Sequence, residues 1–260
     1  MILLLKLVLA PGLVVASSLA GRRWGAQVTG TLVALPIVAG PILLITCLQH
    51  GAAFGARAAG AALLGLVTLA LFTVVFARCS RTTGWAGSLA AAWAACLAGD
   101  FALAGLALPP VLGLGVVLAA VVAALRMLPA VPPAGPADGA PAWPWWDLPG
   151  RAAATAALVV AVTAASGALG PGLTGVLAPF PIATSVVAAF VLAQSGSDQA
   201  VRTLRGVAHG LVGFAVFCFG VAVLVEPAGT AGAFGVALAA TLGVQLGLRA
   251  GLSRWRMRTT

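Results

Sequence analysis

Asp100 is the one acidic residue inside an apolar run, WAACLAGDFALAGL. A carboxylate in hydrocarbon must pair, reach water or stay protonated. Asp100 is therefore a candidate proton carrier or substrate contact, or a side chain solvated by interfacial water. Two proline-interrupted runs, LVALPIVAGP (32–41) and LAPFPIATS (177–185), offer a different chemistry. Proline has no N–H and displaces the carbonyl four residues back. The carbonyls of Leu32, Ile37, Gly175 and Leu177 are expected to lose helix partners and to face protein, water or substrate. This nominates Pro36, Gly40, Pro41, Pro179, Pro181, Thr184 and Ser185 as a substrate-binding set. A plain kink, healed by hydroxyls and packing, is the alternative.

Four more residues could couple or gate. Arg57 and Arg202 each open an apolar run and suit an anionic substrate, although either could be an ordinary arginine snorkelling to the interface. His209 could relay protons, or simply bond a neighbouring hydroxyl or carbonyl. Gln245 is another polar residue in an apolar run. Gln49 and Gln194 close two segments and read as caps. Two histidines and one acid make no metal-binding spacing. Cys47, Cys79, Cys96 and Cys218 lack C-x-x-C spacing and read as small packing residues. No nucleophile–base pair, phosphate loop or acid pair is visible, which predicts neither enzyme activity nor a cofactor. Without a nucleotide motif, any driving force would come from ion or substrate gradients.

The elements that must position these residues follow from composition. The chain is 62% hydrophobic and 7% charged, with mean hydropathy +1.12. Soluble domains carry roughly 25% charged residues. Apolar segments of this length are read as membrane helices, and the strict alternation of a β-barrel is absent. Nine segments are expected, at about 1–20, 27–49, 57–77, 85–107, 110–128, 150–168, 172–194, 203–225 and 229–249. The first resembles a signal peptide but lacks a basic n-region, and Lys6 lies inside it, so it is expected to stay as a helix. Residues 129–149 hold seven of the sixteen prolines together with Trp143, Trp145 and Trp146. This predicts a loop, with the tryptophans anchored at the headgroup level or the prolines docking a partner.

The chain also reads twice. At an offset of 145 residues, Pro36-Ile37 falls on Pro181-Ile182, Gln49 on Gln194, Gly51 on Gly196, Arg57 on Arg202 and Asp100 on Gln245. From Gly25 to Gly87, 18 of 63 aligned positions are identical. Nine helices with a cytoplasmic C-terminus put twelve of the 14 basic residues inside and only Lys6 and Arg57 outside, a positive-inside pattern. The +9 net charge is thereby explained without nucleic acid. The fifth segment has no counterpart, so it turns the second copy over. The reading is all-α and polytopic: a four-helix repeat (1–107), a connecting helix and Pro/Trp-rich cytoplasmic loop (108–149), and an inverted four-helix repeat with a basic tail (150–260). Inverted repeats with paired Pro/Gly breaks suit a secondary transporter with a mid-membrane site. A small anionic or lipid-linked substrate is expected between broken helices 2 and 7. The bilayer itself, and anionic lipids at the basic tail, are the expected partners. The alternative is a non-transporting membrane subunit, self-associating or serving as a scaffold.

The stretch GVLAPFPIATSVVAAFVLAQSGSDQAVRTLRGVAHG (175–210) resembles the small GlpM-type bacterial inner-membrane proteins, with their Ala-Gly-Leu, Phe-Pro and Leu-Arg pattern. Residues 30–65 resemble them more weakly: Leu35 replaces the Phe of Phe-Pro, and Ala59-Gly60 replace Leu-Arg. The resemblance implies a fused, two-copy version of such a protein in the bacterial inner membrane, associated with the cell envelope and exopolysaccharide production. A scaffold role would then belong to an envelope assembly.

Overall fold

A computed structural model describes residues 2–103, 105–106, 108–132, 144–168 and 180–258. Among these, the side chains of 2, 3, 6, 165–168 and 249–258 are outside the description. The described residues form helices and no strand: α1 (Ile2–Trp24), α2 (Ala26–Val33), α3 (Ala39–His50), α4 (Ala52–Cys79), α5 (Trp85–Leu103), α6 (Pro110–Met127), α7 (Asp147–Ala168), α8 (Ile182–Leu224) and α9 (Gly229–Arg258). Helices α4, α5, α6, α8 and residues 229–248 of α9 are long and apolar enough to cross a membrane. At 1.5 Å per residue the 28 residues of α4 reach about 42 Å, more than the ~30 Å hydrocarbon core. Large apolar side chains such as Leu4, Val8, Val111 and Leu246 lie exposed on the helix surfaces. The chain is an all-α, multi-pass membrane protein.

The expected single segment 27–49 is two helices, α2 and α3, separated by five residues around Pro36. The break closes on itself. The Leu32 carbonyl, expected to be orphaned, accepts the Leu35 N–H at 3.1 Å, and the Leu35 carbonyl accepts the Ile37 N–H at 2.8 Å. Pro41 does not break a helix, because it is the third residue of α3, within the first turn where a missing N–H costs nothing. Pro181 begins α8 in the same way that Pro36 precedes α3. Its φ and ψ of −78° and 60° make an inverse γ-turn, and the Ile182 N–H donates to the Phe180 carbonyl at 2.8 Å. Pro179, Gly175 and Leu177 lie outside the described residues.

Residues 195–202, expected to separate two spans, are helical apart from one bend. Helix α8 runs 43 residues and departs from helical geometry at Gly196 (φ 81°, ψ 176°). Gly51 joins α3 to α4 with φ 88° and ψ 166°. Both occupy a region essentially open only to glycine.

The core lies between α4 and the 197–224 limb of α8, where Phe72, Phe76, Leu204 and Leu211 are fully buried. Short helix α2 crosses this limb backbone to backbone. A Cβ on Gly30 would collide with the main chain of Thr203 and Val207, and one on Gly206 with that of Gln27. The Thr31 hydroxyl donates to the Gly206 carbonyl at 3.2 Å across the contact. Small residues and hydroxyls of this kind let membrane helices approach closely.

Candidate functional site

Helices α5, α7 and the 182–195 limb of α8 enclose an apolar groove of about 350 Å³. Ser185 lines it, and its hydroxyl accepts the Trp93 indole N–H at 2.9 Å. The Trp93 ring lies 5.3 Å from that of Phe180, beside the Pro181 turn. The turn thus starts α8 where Ser185, one turn on, reaches α5. Thr184 is buried behind it.

One end of the groove meets a buried ion cluster. Asp147 and Arg151, one helical turn apart on α7, pair at 2.8 Å with side chains 0% and 1% exposed. Arg22, at the end of α1, reaches the second oxygen of Asp147 at 2.8 Å. Arg151 also donates to the Gln194 side-chain carbonyl at 3.1 Å and lies over the Phe190 ring at 5.2 Å. Burial works against the Asp147 charge, but the donors from Arg151, Arg22 and Gln194 outweigh it and hold its pKa below the ordinary carboxylate value. The cluster ties α1, α7 and α8 together. Gln194 is a cluster ligand, where a cap was expected. The cluster's one sequence signal was the Asp147/Arg151 spacing of four.

A second basic group gathers at the C-terminal ends of α4 and α6 and just past the Gly196 bend of α8. Arg78 donates to the Met127 carbonyl at 3.2 Å, and Arg81 donates to Ala130 at 3.1 Å. Arg205 reaches Pro129 at 3.1 Å, and Arg202 reaches Pro132 at 2.8 Å. Arg81 also pairs with Asp198 at 2.6 Å. Residues 127–132 thus form a strap whose carbonyls are held from α4 on one side and α8 on the other. Arg202, expected at a substrate gate, holds this strap. Arg57 is exposed, with its guanidinium 5.9 Å from the Phe54 ring. Trp145 and Trp146 are exposed, and Trp143 lies outside the described residues.

The other nominated residues have separate neighbours. Gly40 faces Phe217, at 3.4 Å from the position a Cβ would take. Pro36 is buried, and Pro41 half-buried. Asp100 is 7% exposed and accepts a long contact of 3.9 Å from the Cys96 thiol, next to Thr68 on α4. Gln245 sits against Gly213 and donates to the Gly210 carbonyl at 3.1 Å, pinning α9 to α8. His209 Nδ1 lies 2.7 Å from the Arg205 carbonyl, one turn back in the same helix. Among the described residues no three His, Cys, Asp or Glu side chains converge. The side chains of the basic tail lie outside the description. No protein family, curated protein or solved structure matches the chain.

Proposed function

We propose that the chain is a secondary transporter or permease for an anionic or lipid-linked substrate, built from two inverted four-helix repeats around the connecting helix α6. The observation that carries the reading is the pair of matched proline turns and glycine bends. Proline turns at 36 and 181 carry the same i→i+2 hydrogen bond at 2.8 Å, and glycine bends follow fifteen residues later in both halves, at 51 and 196. Short half-helices placed at corresponding points of two halves are the usual frame of a transport site. Asp100 and Gln245 support it: each is buried in the last helix of its half, against the glycine-bend helix (α4 and the 197–224 limb of α8). In this reading Asp100 carries the coupling proton. The resemblance to GlpM-type proteins supports a bacterial inner membrane, and the positive-inside charge pattern supports a cytoplasmic C-terminus.

The test is flux. Purified protein in liposomes should accelerate transbilayer movement of a fluorescent anionic lipid, a polyprenyl phosphate or a small organic anion. Pro36→Ala and Pro181→Ala should each slow it, and a proton gradient should drive it in the native protein more than in Asp100→Asn. Movement of none of these substrates, with unimpaired cellular function in both proline variants, would overturn the reading.

A further inference from the structure

The groove beside Trp93 has an occupant that its own chemistry defines. Its floor is the hydrogen bond from Trp93 to the Ser185 hydroxyl, and its walls include Leu89, Leu158, Val186 and Phe190. A water molecule needs two to four polar partners to settle in a cavity, and the described side chains that line the groove offer only the Ser185 hydroxyl, already engaged by Trp93. Ala157 and Ala161 on one rim and Trp85 on the other are exposed on the surface of apolar helices. The groove therefore opens sideways into acyl chains. From Ala154 to Ala161 it follows α7 for about 10 Å, a third of the hydrocarbon thickness.

Among the described residues, the charged groups at the groove gather at one end. Arg151 precedes Ala154 by three residues and covers the Phe190 ring that lines the same end. Arg22 and Arg151 gather here around Asp147, and the Arg22 side chain remains 27% exposed. Trp145 is 89% exposed and Trp146 47% exposed just ahead of Asp147, as suits aromatic residues at headgroup level. We propose that the groove is a binding site for an anionic phospholipid. One acyl chain lies between α5, α7 and α8, and the phosphate sits at the Arg22–Arg151 end. The site differs from the basic C-terminal tail, and it does not rest on the transport reading, since occupancy can be measured without flux.

The full chain, reconstituted in vesicles, can be probed with phosphatidylglycerol or phosphatidylcholine carrying brominated acyl chains, which quench nearby tryptophan. The Trp93 contribution is the difference between the native protein and Trp93→Phe. Brominated phosphatidylglycerol should quench that component at roughly fivefold lower mole fraction than phosphatidylcholine, as one added basic contact predicts. Arg22→Gln should abolish the preference. Ala157→Leu with Ala161→Leu, which fill the groove from exposed positions, should abolish the Trp93 quenching by either lipid. Equal quenching by the two lipids in the native protein would overturn the proposal. So would quenching that survives the groove-filling pair, or a Trp93 shielded from both lipids in a protein that elutes as a dimer, which would assign the face to a second copy.

Discussion

Gly51 and Gly196, 145 residues apart, bend the chain with nearly the same backbone angles, φ 88° and ψ 166° against φ 81° and ψ 176°. Each follows a short proline-started helix and precedes a long core helix. A side chain at either place forces a conformation that costs of order 1–3 kcal/mol. Gly51→Ala and Gly196→Ala should each lower the melting temperature of the purified protein. Gly60→Ala is the control: the position is helical and a Cβ there meets nothing within 4 Å. It should be neutral or slightly stabilising, because alanine is the better helix former.

Asp147 makes stability depend on acid. Its folded pKa is lowered, so its contribution is fully present above its ordinary value of 3.8 and is lost as pH falls through the lowered value. Thermal melts between pH 7 and pH 3 should show a fall at the acid end that Asp147→Asn largely removes. At neutral pH that variant leaves two guanidinium groups without their carboxylate and should cost about 3–5 kcal/mol.

The strap over 127–132 should loosen when its arginines are removed. Arg81→Ala deletes both the bond to Ala130 and the ion pair to Asp198, whose side chains are 33% and 44% exposed. Exposed pairs contribute only ~0.2–1 kcal/mol each, so the global melting temperature should barely move. Limited proteolysis at Ala130 should accelerate, and further with Arg205→Ala added. An unchanged cleavage rate in the double variant would show that the strap is held by something other than these bonds.

Trp93 links α5 to the start of α8 through one hydrogen bond and one ring contact. Trp93→Phe keeps the contact with Phe180 but leaves the Ser185 hydroxyl without its donor, and should cost about 1 kcal/mol. Trp93→Phe combined with Ser185→Ala should cost little more than Trp93→Phe alone, as measured by denaturation in detergent.

The parts legible in the sequence were those that one residue type dictates. The prolines at 36 and 181 mark turns from which α3 and α8 start, through a missing donor and a fixed ring, although α1 runs on through Pro11. Pro41 misled for the same reason. Its effect depends on whether it falls inside a helix or in the first turn, and the Pro36 break had already restarted the helix at Ala39. Gly51 and Gly196 were visible as a matched pair, but their backbone angles follow from tertiary packing and were not. The ion cluster escaped because Arg22, Asp147 and Gln194 are far apart in sequence; only the Asp147/Arg151 spacing was local. The strap escaped because arginines counted as loop charge give no sign that they hold carbonyls of a distant proline-rich segment.

The inverted repeat is most directly tested by the side of the membrane on which equivalent positions lie. Ala52 and Ser197 follow the two glycine bends at the same offset of 145. In a cysteine-free background, Ala52→Cys and Ser197→Cys should label from opposite faces with a membrane-impermeant maleimide: position 52 in intact cells, and position 197 only in inverted vesicles. Labelling of both from the same face would contradict the inversion, and with it the frame on which the transport site rests.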